Sequence, residues 1–263
     1  MFAGEFKGKV GIIIGCSRTS GMHIARKFMQ ERLITIVGSK SQEVYKIYDE
    51  LKKEMPKAEG FARSVDSSNE EQIKALIQDV IKEYGKIDIV NYHAAYHAPL
   101  IAIDDLTEEI LDTSIGVNLK GPIFTIKHCA SIMKAQRSGS IVITSSWFAR
   151  KGAPYFSPYC TSKAAENALV QCAALELAPF GVRVNSFAPG DIENEAHYDA
   201  LKQEAAIRGI TYEEMTEITL NNIPMHKRLD PAKMGGIILF LSSGDADHIT
   251  ASNLNVSGGS EFR

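Results

Sequence analysis

Tyr159 and Lys163 stand four residues apart at the start of a helical pattern, so they share one face. A free tyrosine, with a pKa near ~10, is a poor base at neutral pH. A neighbouring ammonium favours the phenolate, by roughly 1–3 units for a close opposite charge. A tyrosine poised in this way can exchange a proton with a carbonyl or an alcohol, an effect worth roughly 10²–10⁴ in rate. Ser146 lies thirteen residues before the tyrosine, after the apolar run SIVIT. Its hydroxyl can hold the oxygen that gains or loses the proton. Tyrosine and lysine at this spacing also occur as surface helix pairs. The Ser145-Ser146 strand end just upstream is what makes this pair a candidate site.

Such residues need a scaffold. Short β-branched runs at 10–14, 33–37, 60–65, 87–90, 140–144, 182–188 and 253–256 alternate with amphipathic stretches such as EEQIKALIQDVIKEYG and SKAAENALVQCAALELAPFG. Seven strands separated by helices imply an α/β, doubly wound, seven-stranded parallel sheet with right-handed crossovers. No linker, repeat or low-complexity segment divides residues 1–263, so one domain is expected. The rhythm breaks once, at 191–229, a polar insertion with helical patterning between strands six and seven. Ligands of open α/β sheets bind beyond the carboxyl ends of the strands, so this insertion is a candidate substrate lid.

The stretch GCSRTSGMH follows strand one and opens a helix, as a phosphate-binding loop should. Gly15 suits the tight turn and Gly21 close helix packing. Ser17, Thr19 and Ser20 offer hydroxyls, and the helix N-terminus offers backbone N–H groups to a pyrophosphate. After strand two comes Gly38-Ser39-Lys40, with no acid for a ribose hydroxyl pair. Lys40 and Arg18 are bases within reach of a 2′-phosphate, which favours NADP(H) over NAD(H). The competing reading is that both are solvated surface charges.

Composition narrows the rest. With 263 residues, 44% hydrophobic and a net charge of −3, the chain has ample core and no basic surplus for nucleic acid or anionic membrane. Four cysteines without C-x-x-C spacing read as free thiols of a cytoplasmic protein, and no metal-ligand grouping appears. No apolar run approaches ~18 residues, so no membrane span is expected.

Taken in order, these motifs resemble the short-chain dehydrogenase/reductase family, in its compact single-domain branch. The likeness runs from about Gly8 to Gly259 through Gly15…Gly21, Asp66, NLKG at 118–121, Ser146, Tyr159/Lys163, ALELAPFGVRVNSFAPG and VSGG. It implies a Rossmann fold and reversible hydride transfer between NAD(P)(H) and a carbonyl/alcohol pair. By the same resemblance Tyr159 is the acid/base, assisted by Lys163, which also bonds the nicotinamide ribose. Ser146 orients the substrate oxygen, and Asn118 bends its helix and holds a water of the proton relay. Asp66 bonds the adenine, with Ser67 beside it. His93 and Ala94 flank the cofactor, and Pro189, Gly190 and Ile192 line the nicotinamide face. His97, Trp147, Phe148, Tyr155 and His197 are the expected substrate-pocket residues. The family also implies a homo-oligomer, tetramer or dimer, acting on a small molecule.

Several positions depart from the family pattern. Thr19 replaces the middle loop glycine, Tyr92-His93-Ala94-Ala95 replaces NNAG, Asn194 replaces a threonine, and Ser257 precedes the final glycine pair. None falls on the catalytic four. Two other functions stay open here: a cofactor-binding regulator without chemistry, and an enoyl reductase. Retention of all four catalytic types argues against the first. The four-residue Tyr–Lys spacing argues against the second, whose family members usually space the pair by seven.

Overall fold

The computed structural model describes Phe2 and residues 4–260. Seven strands are β1 (Val10–Ile14), β2 (Ile34–Ser39), β3 (Gly60–Ser64), β4 (Ile89–Tyr92), β5 (Gly139–Thr144), β6 (Val182–Pro189) and β7 (Asn253–Val256). They form one sheet in the order β3-β2-β1-β4-β5-β6-β7, and every pairing is parallel. The chain reverses its winding direction between β1 and β4, which opens a crevice at their carboxyl ends.

Helices cover both faces, as a parallel sheet requires. On one side α3 (Glu70–Tyr84), α5 (Gly121–Gln136) and α6 (Ser157–Leu177) bury Ile73, Ile126 and Val170 in a core with Ile12, Ile141 and Val184. On the other, α1 (Gly21–Gln30), α2 (Glu43–Glu54) and α9 (Met234–Ser242) bury Ile24, Ile47 and Ile238 with Ile13 and Val142. Neighbouring residues of β1 thus feed opposite cores, which is the period-two logic of a strand. Helix ends are set by local chemistry. Asn69 caps α3 by accepting from the Gln72 N–H, and Gly85 closes it in the left-handed conformation.

Two strands run later than the apolar runs suggest. β2 continues through Gly38 and Ser39, which pair with Arg63 and Ser64. β4 begins at Ile89, and just before it the Asp88 Oδ2 accepts from the Val10 N–H at 2.7 Å. It then extends to Tyr92, which is fully buried.

Between α4 (Glu108–Ile115) and α5 the helix widens into one π-helical turn, Gly116–Lys120. Residues 191–229 carry α7 (Glu195–Arg208) and α8 (Tyr212–Asn221), which enclose a small cluster of Leu201, Ala205 and Met215. Asn194 caps α7 by accepting from the His197 N–H at 2.9 Å. That role suits asparagine as well as threonine, which accounts for the exchange.

Candidate active site

The turn after β1 needs its glycines. Gly15 has φ +105°, and a Cβ there would stand 2.2 Å from the Ala94 nitrogen. The contact is close because His93 and Ala94 N–H groups both donate to the Ile14 carbonyl, binding the β4 loop to β1. A Cβ on Gly21 would meet the Gly15 carbonyl at 2.5 Å. Thr19 is accommodated: it lies on the cleft wall, with its Oγ1 2.8 Å from Ser17 Oγ. Ser20 caps α1 without a side-chain bond, because its hydroxyl meets His93 Nε2 at 2.6 Å. His93 Nδ1 meets Thr144 Oγ1 at 3.1 Å, and burial pushes the imidazole down to about 3. His93 is therefore neutral, and it joins the α1 turn to the end of β5.

The crevice is a cleft of about 1080 Å³. Gly15, Ser17, Thr19 and Ser20 line one end, with Ser39, Lys40, Asp66 and Ser67 beyond them. His93, Ala94, Ser146, Tyr159 and Lys163 line its middle, and Pro189, Gly190 and Ile192 close the far wall. His97, Trp147, Phe148 and His197 face the same space. Arg18, Gly21, Asn118 and Tyr155 are not on its wall. For Tyr155 the reason is its backbone. It sits at φ +68°, it is 40% exposed, and its carbonyl accepts from the Ile101 N–H. Its neighbour Phe156 takes the wall position, stacked on Phe148 at 4.8 Å.

The two bases read from the sequence, Arg18 and Lys40, are already paired. Arg18 donates to Glu43 at 2.6 Å and to both oxygens of Glu50 at 2.9 Å. Lys40 meets Asp66 Oδ2 at 2.7 Å, yet its side chain is 79% exposed. Asp66 Oδ1 accepts from both the N–H and the hydroxyl of Ser68. Lys40 and Ser68 hold its carboxyl below the usual range against the cost of burial.

At the centre of the cleft, α6 presents Tyr159 and Lys163 one turn apart, and the end of β5 presents Ser146. Lys163 is fully buried. Its ammonium donates to the Thr144 carbonyl at 3.1 Å and to Glu166 Oε1 at 2.8 Å. Burial raises the Tyr159 hydroxyl above its ordinary value, Lys163 pulls it down, Glu166 pushes it up, and Ser146 pulls it down again. The net direction is upward. The lysine's pull is present, as its spacing suggests, but burial exceeds it, so the residue rests as a neutral phenol. His97 stacks on the phenol ring at 5.1 Å.

Asn118 acts as a fastener. Its Oδ1 accepts from the Tyr96 N–H at 2.7 Å, and its Nδ2 donates to the Tyr96 carbonyl and to Ser162 Oγ. It thereby ties the β4 loop and α6 to the π-turn. Tyr92, at the first position of the altered NNAG, donates to the Val117 carbonyl of the same turn. Its ring end fills the place where a Cβ on Gly121 would lie.

At the mouth, Asp191, His197 and Arg228 form a polar chain. Arg228 Nε donates to His197 Nε2 at 3.0 Å, and His197 Nδ1 stands 3.9 Å from Asp191. Burial and Arg228 push the imidazole down to about 4, and burial pushes Asp191 up to about 6. Sequence reasoning passed over Glu166, Thr144, Asp191 and Arg228. Glu166 had a readable signal: it sits one turn beyond Lys163 on the helix face that continues with Val170, Ala173 and Leu177.

A sheet of this order, a glycine turn at its switch point and a Ser/Tyr/Lys centre define a dinucleotide-type oxidoreductase scaffold. The family model described as enoyl-(acyl carrier protein) reductase matches residues 15–261. Galactitol 2-dehydrogenase of Agrobacterium fabrum is 32% identical, with 97% of this chain and 98% of that protein covered. The human dehydrogenase/reductase SDR family member 4 is 32% identical over 97% of this chain and 88% of that protein. The solved structure of NAD+-bound xylitol dehydrogenase superposes with a TM-score of 0.92 at 26% identity, covering 97% and 100% of the two chains. The chain belongs to the short-chain dehydrogenase/reductase family. It is an oxidoreductase of the class acting on CH–OH and C=O groups.

Proposed function

We propose that the protein interconverts a small or medium carbonyl compound and its secondary alcohol, with Tyr159 as the proton-exchanging group. The observation that carries this reading is the convergence of Ser146, Tyr159 and Lys163 on one cleft wall beside the glycine turn. The donor set fits a dinucleotide: hydroxyls of Ser17 and Thr19, the open N-terminus of α1, and Asp66 further along. When bound, NAD(P)(H) supplies or accepts the hydride. In reduction, the neutral Tyr159 phenol gives its proton to the carbonyl oxygen while Ser146 orients that oxygen. The Lys163 ammonium then stabilises the phenolate. In oxidation the steps reverse, and Tyr159 must first lose its proton. Asn118 keeps the β4 loop and α6 in register, which supports a relay behind Lys163.

NADP(H) is the preferred cofactor in this reading. Ser39 and Lys40 line the cleft, and although Asp66 meets Lys40, the ammonium stays largely exposed and the sequence has no acid between Ser39 and Glu43. Arg18 contributes less than its position in the sequence suggests, since two glutamates hold it. Residues 191–229 act as the lid, with His197 and Asp191 facing substrate. Trp147, Phe148 and Phe156 give that pocket an apolar wall. Among the described residues no helix is long and apolar enough to cross a membrane, and a cytoplasmic setting suits the four free thiols. A homo-oligomer is supported by exposed Leu111, Ile123 and Leu175 on α4, α5 and α6, and sedimentation checks it.

The test follows nicotinamide absorbance across a panel of carbonyls and alcohols, with NADPH and NADH in parallel. Turnover should appear, faster with NADPH, and Tyr159→Phe should lose roughly 10²–10⁴ in rate. Undiminished turnover in that variant defeats the mechanism. Enoyl reduction is the second reading, favoured by the description of the matching family model. Enones reduced at C=C and never at C=O would establish it.

A further inference from the structure

Lys163 does not stand alone. One turn along α6, Glu166 is fully buried, and its Oε1 accepts from the ammonium at 2.8 Å. An ionisable carboxyl at zero exposure is costly unless it is paired. The sheet and α6 enclose the pair, with the Thr144 carbonyl as the other acceptor for the ammonium. Burial pushes the Glu166 carboxyl up to about 7, against the pull of Lys163 and, less, of Ser145. Its Oε2 has no hydrogen-bond partner among the described residues.

We propose that Glu166 is a positioning residue: its carboxylate holds the Lys163 ammonium and, through it, sets the pH at which Tyr159 exchanges its proton. The inference rests on the proton-exchange role proposed for Tyr159. Two of the ammonium's three protons are directed by Thr144 and Glu166, so its place beneath the tyrosine is fixed, 5.8 Å from the ring centre. The carboxylate also opposes the lysine's field at the phenol, raising Tyr159 where Lys163 lowers it. The same carboxylate raises Lys163 against the cost of burial.

Other titratable groups surround the pair. Tyr92 comes from β4, His93 and His97 from the loop after it, and Asp66 from beyond β3. Tyr159 and Cys160 lie on α6. Tyr92 is pushed up by burial and by Glu166, and so stays a phenol. His93 is neutral, and Lys163 helps keep it so. Asp66 acts on Tyr92 and is absent from the influences on Tyr159 and Lys163. Cys160 raises Tyr159 weakly. After burial, the lysine and the glutamate are therefore the two largest, opposing influences on the tyrosine's proton.

The sign follows. Above about pH 7, where Glu166 is ionised, the phenol is retained to higher pH, which suits the acid role in carbonyl reduction. Removing that charge leaves the ammonium's pull on the phenolate unopposed, so the phenol ionises at lower pH. It also removes the support that keeps Lys163 protonated. Both limbs of the alcohol-oxidation pH profile should move to lower pH.

The experiment compares wild type, Glu166→Gln, Glu166→Met and Glu166→Asp. Two readouts are taken: the pH profile of alcohol oxidation, and phenolate absorbance of Tyr159, isolated by subtracting Tyr159→Phe in each background. Gln and Met should shift both downward by roughly one pH unit, and Asp should restore the profile toward wild type. Unchanged midpoints in folded Gln or Met variants overturn the proposal. So does failure of both variants to fold, since the carboxyl would then be a folding requirement. If no alcohol or carbonyl is turned over, the reading of function fails, while the absorbance titration still decides the role of Glu166.

Discussion

Lys163 and Glu166 bury their side chains to 1% and 0% exposure under the floor of the cleft, while His197 and Asp191 keep 14% and 11% at its mouth. Both places hold charge away from water, yet they are built differently. The floor pair sits between a 21-residue helix and the central strands. The ammonium meets one carboxyl oxygen directly, and the other oxygen has no hydrogen-bond partner among the described residues. The mouth group is a chain of longer contacts in which Arg228 also reaches Thr216 and Thr219 of α8. There α7 and α8 share a small cluster of Leu201, Ala205 and Met215 separate from the two main cores. Charge enclosed by the main cores yields only with global unfolding. Charge held by a small satellite cluster can open locally, at lower cost. The first arrangement suits a group that must keep a fixed distance from a reacting proton. The second suits a segment that must admit substrate.

The largest effect that would break this contrast is at the floor. Glu166→Ala removes one partner of a buried pair and should cost about 3–5 kcal/mol in urea denaturation. A loss no larger than that of an exposed pair would show the floor to be solvated after all. Next comes the mouth cluster. Leu201→Ala would cost about 2–5 kcal/mol if that leucine belonged to the main core. Local opening predicts instead a global change within about 1 kcal/mol, or roughly 2–4 °C in Tm. Amide exchange in α7 and α8 should accelerate while α6 stays protected. Equal acceleration in α6 would erase the distinction.

The smallest effect is electrostatic. Burial raises the Asp191 carboxyl from 3.8 to about 6, so the folded mouth holds that proton more tightly than the unfolded chain does. Below about pH 4 both states are protonated and there is no penalty. The penalty grows as pH rises and is complete above about 6. Asp191→Asn should therefore raise Tm at pH 8 by roughly 2–4 °C and flatten its slope between pH 4 and 6. A lower Tm at pH 8 would mean that the Arg228 interaction outweighs the burial.

The Ser146, Tyr159 and Lys163 arrangement was legible because spacing along one helix, and position after one strand, are local properties. The glycine turn was legible in the same way, down to the threonine at its second position. Strand limits at β2 and β4 were less so, since Ser39 and Tyr92 join the ladder through partners elsewhere in the chain. Arg18 read as a free base until Glu43 and Glu50, 25 and 32 residues onward, came beside it. Tyr155 and Phe156 could not be ranked from their order, because a left-handed backbone at Tyr155 decides which ring meets the cleft.

Residue types and their periodicity determined that this chain forms a parallel α/β sheet with a tyrosine–lysine pair near a glycine turn. Both depend on patterns repeated within a few residues, where covalent geometry dictates which side chains share a face. The environment of that tyrosine was decided by tertiary structure alone. Whether burial or Lys163 prevails, and whether Glu166 counters the lysine, depends on solvent exclusion and on through-space distances. Those quantities exist only once β5, α6 and the β4 loop have closed around the site.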